Sequence, residues 1–406
     1  MHAIRFHYRP ASYLLTRYTG RLAGRVALGP LGSVRLDDVA EPALPGPDWV
    51  RVRPSMSGIC GSDLSALTAH DSFTLEPFGA YPFTFGHENV GVIAERGAAV
   101  GAEWHEGDRV IVNPMLSCRQ RALEPCGACR DGDYGLCRRT RDGVPGPGPM
   151  IGYSPGAGGG WSAAFVAHVS QLHRADGLAD DVAVLTDPFG SALRGVLLQP
   201  PSPGDVVLVI GAGTIGLLTT RALRATGWSG EVAVIGRYPY QRELARRAGA
   251  THVFAGRPEA YAWAAALPGA RAYRPTLARP FVEGGPSLVY DTVGTAHSLA
   301  DALALAAGGG RLVLIGAAAR VRLDLTRLWY RQLTLAGIFA YGMVPFRGQR
   351  REIYEAALEL QREGALAELP LVTHRFALPD YRRAISTALD KRGGAVKVVF
   401  RPVAAD

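Results

Sequence analysis

Five cysteines stand out in this 406-residue chain as groups able to do chemistry: Cys60, Cys118, Cys126, Cys129 and Cys137. Four of them fall within one stretch of twenty residues, with seven, two and seven residues between successive members. Thiolates so spaced can close a tetrahedral shell around zinc; the C-x-x-C core brings two sulfurs to one ion from a single turn, and the outer pair reaches back. A shell filled by four protein ligands has no open position, so such a site is structural. Reactive free thiols or a disulfide pair are the alternatives, and the odd total with a C-x-x-C core favours metal. The fifth cysteine lies in Gly58-Ile-Cys60-Gly-Ser62-Asp63, and 26 residues separate it from His87 in Phe85-Gly86-His87-Glu88. One thiolate and one imidazole are two zinc ligands, and Asp63 is suited to orient the imidazole through its other nitrogen. The same pair in a glycine-rich loop also suits a purely structural role.

A second chemistry is written in Val206-Val-Leu-Val-Ile-Gly211-Ala-Gly213-Thr214-Ile215-Gly216. This is G-x-G-x-x-G placed after an apolar run and before a helical stretch. The first glycine allows a tight turn, the second lets a pyrophosphate approach the backbone, and the third lets helix and strand pack closely. The helix N-terminus adds free N–H groups and partial positive charge for the anion. About 20 residues further on, an acidic residue would hold the ribose diol of NAD. Gly236 occupies that place and Arg237 follows it. A missing carboxylate beside a planar, bidentate cation favours a 2′-phosphate, so NADP(H) is the expected cofactor, with Tyr238 and Arg242 sharing the phosphate. The alternative is that Arg237 is one more surface arginine.

These groups need elements to hold them. In the first half, Val50–Arg53, Asn89–Ala94 and Arg109–Val112 read as short strands between turn signals, the pattern of an antiparallel, barrel-like domain. Residues 143–149 and 156–160 are so rich in glycine and proline that they read as loop. From about Pro188 the texture becomes parallel α/β. Buried runs at Val206–Ile210, Val232–Ile235, Leu288–Tyr290 and Leu312–Ile315 alternate with helices ending at Ala225 and spanning Gln241–Ala248. The proline-rich stretch 257–286 reads as an irregular insertion, 349–362 as a helix, and 395–400 as an alternating tail. No internal repeat is present.

Composition narrows the function classes. Hydrophobic residues at 48% and charged residues at 20% exclude a disordered chain. All but two of the 44 basic residues are arginines, and they outnumber 36 acidic ones for a net charge of +8. They are scattered, with no block of five like charges, so no nucleic-acid partner is expected. No apolar run reaches the ~18 residues of a membrane span, and the first twenty residues lack the apolar core of a secretory signal. A cytoplasmic protein with no membrane partner is expected.

Taken in order, G-x-C-G-S-D, G-H-E, G-D-R-V at Gly107–Val110, the cysteine lobe and G-A-G-T-I-G resemble the zinc-dependent medium-chain dehydrogenase/reductase family, the alcohol, sorbitol and threonine dehydrogenase-like enzymes. The resemblance covers almost the whole chain. It implies an α/β protein: a GroES-like β-rich catalytic domain at 1–189 with a zinc lobe near 115–140, a Rossmann doubly wound parallel-sheet domain at 190–339, and a return to the catalytic domain at 340–406. It implies two zinc ions, one catalytic and one structural, and a homo-oligomer, dimeric or tetrameric. Cys60 and His87 match the first two catalytic ligands, and Asp187 stands where the family places a third. Glu88 matches a glutamate that supports the site or replaces a ligand, and Ser62 the hydroxyl that contacts the substrate oxygen. Lys397 matches a basic residue near the pyrophosphate. Val293, within Asp291–Gly294, and Ile315 and Ala317 match strand ends bordering the nicotinamide.

Three residues depart from the family pattern. Ser65 replaces a relay histidine, so proton exit must run through Ser65, the ribose and water, or another group such as His70. Leu123 replaces the usual first structural cysteine, so Cys118 must substitute across a longer loop. Gly236-Arg237 replaces the NAD carboxylate. The implied activity is hydride transfer between NADP(H) and a small alcohol or carbonyl compound. A zinc-free NADPH-dependent quinone or enone reductase on the same fold is the alternative, disfavoured by Cys60, His87, Asp187 and the cysteine lobe. A non-catalytic NADPH-binding protein is the other.

Overall fold

The structure, a computed structural model, describes residues 1–402 and divides the chain into two units. The first comprises residues 1–187, 341–343 and 371 onward, and the second residues 188–340 and 344–370.

The hub of the first unit is strand Trp49–Gly58. Its Val50 and Val52 are fully buried while Arg51 and Arg53 turn outward, the two-residue period of a half-buried strand. It pairs antiparallel with Asn89–Arg96, Phe165–His168 and Lys397–Phe400 within a seven-stranded sheet. Arg109–Val112 and Leu172–Arg174 extend that sheet on one side, and Val372–Phe376 extends it on the other, parallel to Lys397–Phe400. A smaller sheet, Val34–Asp38, His2–Phe6 and Phe83–Thr84, holds one wall of an aromatic core in which Phe85 lies 5.0 Å from both Phe83 and Trp161 between ring centroids. The three strands expected in this half are present, and 143–149 is loop.

In the second unit six strands run parallel in the order His252–Phe254, Val232–Ile235, Val207–Ile210, Leu288–Asp291, Arg311–Leu314, Thr334–Gly337. Numbered by sequence this is 3-2-1-4-5-6, the Rossmann order. Val207, Leu208 and Val209 are wholly buried, as strands covered on both faces must be.

Two segments differ from expectation. Residues 257–286 are not irregular: they form helix Arg257–Ala265 and a hairpin of Arg271–Tyr273 with Phe281–Glu283. Pro258 sits in the first helical turn, where no intrahelical donor is lost, so a proline that reads as a breaker here opens a helix. Residues 349–352 are a short strand paired with Met343–Phe346, and the helix begins at Ile353. Helix Ile353–Arg362 belongs to the second unit, because Ile353 and Tyr354 lie 3.6 and 4.0 Å from where a Cβ on Gly190 would stand. Among the described residues no helix is long and apolar enough to cross a membrane.

Asp205 fixes the entry to the parallel sheet. It accepts from the Ser287 hydroxyl at 2.6 Å, the Ser202 N–H at 2.7 Å and Arg311 at 2.7 Å. Burial opposes its ionisation, but these partners outweigh burial and hold the carboxyl below its ordinary value. A depressed folded pKa gives stability that is present above the unfolded pKa of about 4 and is lost as pH falls through the folded one. Asp205→Ala should therefore cost about 2 kcal/mol at pH 7. The difference from wild type, followed by denaturant melts, should shrink below about pH 4.

Candidate metal and cofactor sites

Strand Trp49–Gly58 delivers Cys60 to the start of helix Gly61–Leu67, with Asp63 in its first turn. The carboxylate of Asp63 is fully buried and has two separate duties. Its Oδ2 accepts from the Cys60 N–H at 2.9 Å, fixing the turn that presents the thiol. Its Oδ1 accepts from the Tyr153 hydroxyl at 2.9 Å and lies 3.3 Å from Nδ1 of His87. The carboxylate thus faces Nδ1 of the imidazole within ion-pair distance, although that nitrogen makes no hydrogen bond. Burial alone would lower His87, but Asp63 and then Cys60 outweigh it and hold the imidazole well above its usual range. Burial and Asp63 push Tyr153 upward too, so its hydroxyl stays a donor.

Cys60, His87 and Glu88 each place one ligand-type atom within 4.8 Å of the others. A half-buried thiol, a buried imidazole and a buried carboxylate are a donor set that suits zinc. Both oxygens of Glu88, however, accept from the ammonium of Lys397, at 2.7 and 2.6 Å, and the third hydrogen of that ammonium goes to the Ile59 carbonyl at 3.2 Å. Burial opposes charge on both partners: on Lys397 the Glu88 carboxylate outweighs it and holds the ammonium above its ordinary range, whereas on Glu88 burial prevails over Lys397 and pushes the carboxyl up. Lys397, matched by resemblance to the pyrophosphate, thus has its donors engaged beside the metal ligands. Gly58 is required for this, since a Cβ there would stand 1.8 Å from Glu88 Oε2. Asp187 is buried but outside the three-residue cluster, and its Oδ2 accepts from the Tyr341 hydroxyl at 2.8 Å. Ser62 and Ser65 follow Cys60 on the same short helix, both half-buried, while His70 is exposed and bonded to Thr68 at 2.9 Å.

The four remaining cysteines also converge, all sulfurs within 4.8 Å of one another. Cys118 and Cys137 are 3.6 Å apart, far beyond the ~2.05 Å of a disulfide, and all five cysteines are free thiols. Cys118 reaches the cluster because its loop folds back, the Leu123 N–H bonding the Cys118 carbonyl at 3.0 Å. Backbone donors face the sulfurs: Cys126 N–H to Cys118 and Arg139 N–H to Cys137, both at 3.4 Å. A donation from the Arg138 backbone brings Cys126 down to about 6, whereas burial pushes Cys137 up. Buried thiols cannot all ionise together without a cation among them. The arrangement fits a closed tetrathiolate site.

The nucleotide-type residues of the second unit gather at the carboxyl ends of its parallel strands. Gly211 to Gly216 lead from Val207–Ile210 into helix Thr214–Ala225. A Cβ on Gly216 would stand 1.8 Å from the Gly211 carbonyl oxygen, whereas one on Gly213 would meet nothing within 4 Å. That pattern is tight packing at the third glycine and free approach at the second. Gly236 and exposed Arg237 follow the neighbouring strand, with the Arg237 guanidinium 5.5 Å from the Tyr238 ring centre. Arg242 turns back to donate to the carbonyls of Gly236 and Arg237, each at 3.2 Å. On the other side, Asp291 Oδ1 accepts from the N–H groups of Val293 and Gly294 at 2.9 and 3.1 Å, leaving Val293 43% exposed at the strand end. Ile315 and Ala317 flank Gly316, which packs against the backbone of Val293.

Residues 46–177 match the alcohol dehydrogenase GroES-like domain, and residues 214–362 match the zinc-binding dehydrogenase domain. The chain belongs to the zinc-dependent medium-chain dehydrogenase family. Within this family, sorbitol dehydrogenase of Bacillus subtilis is 27% identical over 364 residues, spanning 87% of this chain and 90% of its own length. A probable alcohol dehydrogenase of Mycobacterium tuberculosis is 37% identical over 204 residues, 48% of this chain and 51% of its own. A solved zinc-binding dehydrogenase of Sinorhizobium meliloti, described as putative and bound to NADP, superposes with a TM-score of 0.69 at 27% identity, covering 91% and 95% of the two chains. The 2R,3R-butanediol dehydrogenase of Bacillus subtilis shares the fold with a TM-score of 0.72, covering 99% of each chain at 24% identity.

Two partners of this medium-chain dehydrogenase site escaped sequence reasoning. Tyr153 lies 90 residues from Asp63, and Tyr341 lies 154 from Asp187. A tyrosine in a loop has no spacing signal pointing to the carboxylate it will meet.

The Glu88–Lys397 pair carries a direct consequence. Lys397→Met leaves a buried carboxylate without its cation and should cost about 3–5 kcal/mol in equilibrium unfolding. Adding Glu88→Gln should recover at least half of that loss. A double variant no more stable than the single one contradicts the pairing.

Proposed function

We propose that this chain is an NADP(H)-dependent alcohol dehydrogenase that interconverts a small alcohol and its carbonyl compound and holds two zinc ions per chain. Family membership supports a homo-oligomer acting in the cytoplasm. The observation that carries the cofactor preference is the end of strand Val232–Ile235, where Gly236 removes the carboxylate and Arg237 and Arg242 bring two guanidinium groups. The NADP-bound structure of the Sinorhizobium meliloti relative supports the same choice.

When bound, zinc supplies a Lewis acid at the substrate oxygen, and the nicotinamide gives or takes the hydride. The chain's own residues do the rest. Cys60 and His87 hold the ion, with Asp187 as the proposed third donor. Asp63, 3.3 Å from Nδ1 of His87, is placed to orient the ring so that Nε2 would face the ion. Lys397 holds both oxygens of Glu88, so the carboxylate next to the ligand pair is restrained rather than free to crowd the ion. Ser62, half-buried in the helix turn after Cys60, takes the hydroxyl proton during oxidation and returns it during reduction. Ser65 on the same helix, or the exposed His70 just after it, passes that proton to water.

Arg237→Ala should weaken NADPH binding by about 10- to 100-fold, the loss of charge-assisted hydrogen bonds worth roughly 1.5–3 kcal/mol, and leave NADH nearly unchanged. Dissociation constants for both cofactors, read from nicotinamide fluorescence, check this. A wild type that binds NADH more tightly than NADPH contradicts the NADP(H) reading. Gly236→Asp is a poorer probe, because a Cβ there would already stand 3.0 Å from Ala212 and 3.2 Å from the Arg242 side chain.

A further inference from the structure

Arg121 is 1% exposed, one of the largest fully buried side chains of the molecule. Its guanidinium donates to four carbonyl oxygens: Leu116 at 3.0 Å, Asp142 at 2.7 Å, Gly146 at 2.8 Å and Gly148 at 2.5 Å. All four acceptors are neutral. Among the described residues no carboxylate pairs with it, and the nearby Asp142 side chain is taken by Arg139 at 3.0 Å. The segment 143–149, legible only as a glycine-proline loop, is the wrapping of this cation. Gly143, Gly146 and Gly148 have φ of +63°, +101° and +125°, and the left-handed turns aim successive carbonyls inward.

Carbonyl dipoles and the nearby Asp142 carboxylate, which is engaged by Arg139, offset only part of the cost of burying a cation. The opposite charge is close in the chain. Arg121 closes the turn begun by Cys118, its N–H bonding the Cys118 carbonyl at 3.2 Å, and both Cys118 and Cys137 are buried. Four thiolates around one zinc(II) ion sum to a net charge of −2. Burial lowers the pKa of Arg121, and the groups acting against that are Cys137, Asp142 and Cys118.

We propose that Arg121 is the built-in counter-charge of the four-cysteine zinc site, a positioning residue that neutralises half of the tetrathiolate's charge and clamps the 142–148 loop over it. The proposal rests on the structural-zinc reading of those cysteines. It also explains the displaced first ligand. The loop between Cys118 and Cys126 is what carries Arg121 inward, so the longer spacing and the buried charge arrive together.

The test compares wild type with Arg121→Met, which removes the charge, and Arg121→Lys, which keeps it while losing the planar fork. Zinc affinity is measured by chelator competition with every variant in a Cys60→Ser background, so that the sulfur-to-metal charge-transfer band after cobalt(II) substitution reports the four-cysteine site alone. Arg121→Met should bind the structural ion about 10- to 100-fold more weakly, the range found for outer partners of metal ligands. Arg121→Lys should stay within about threefold of wild type in affinity while melting lower, because charge survives and hydrogen bonds do not. Should Arg121→Met fail to fold, the lysine variant decides alone, and a tenfold or greater loss of affinity there overturns the proposal. Equal affinity in wild type and Arg121→Met overturns it too. A wild type without a metal on the four cysteines overturns the structural-zinc reading together with it, an outcome separable from the others by the missing cobalt band.

Discussion

An ammonium sealed from water stays charged only against an anion, and in the first unit Lys397 satisfies that condition on Glu88. Much of the metal site follows from this one contact. Lys397 opens the last strand of the seven-stranded sheet, and Glu88 directly follows His87. The third hydrogen of the ammonium is spent on Ile59, the residue before Cys60. One cation therefore ties two segments near Cys60 and His87 to a strand 338 and 309 residues further along the chain, and it holds the backbone beside both residues. The fold leaves no slack here: Gly58 has no Cβ because Glu88 Oε2 occupies its place. Asp63 works by the same rule, one carboxylate oxygen fixing the Cys60 turn and the other facing His87.

The second unit is governed by the backbone instead. Parallel strands ending in tight turns leave N–H groups and short loops at their carboxyl ends, and every nucleotide-type residue of the chain apart from Lys397 lies there. The proposed preference for NADP(H) at that end rests on one side chain's absence. Where a carboxylate would stand, Gly236 is buried and packed against Ala212 and Arg242, so the position is shaped as well as uncharged.

How much of this could be read from sequence depends on the range of the signal. The parallel strands were legible because burial on both faces writes an unbroken apolar run, as at Val207–Ile210. The glycine fingerprint and the C-x-x-C lobe were legible because their chemistry is local. Helix Arg257–Ala265 was not, since Pro258 reads as a breaker unless the helix is known to start there. The partners of the buried carboxylates were also hidden: Tyr153 on Asp63 and Tyr341 on Asp187 are tertiary contacts without periodicity. Lys397 shows the limit of resemblance. Family pattern pointed to its position as important, while the contacts that engage it are those of Glu88 and Ile59. Arg121 was invisible for the opposite reason, one arginine in a chain full of them, distinguished only by its burial.

The two proposed zinc ions serve different ends, one for turnover and one for the fold. Metal content per chain, followed through stepwise chelation with alcohol oxidation and melting temperature recorded at each step, tests this most directly. The account predicts two zinc ions at the start. The first to leave abolishes turnover with little change in melting, and the second leaves only as the protein destabilises. Full turnover of an alcohol by protein free of zinc would contradict it.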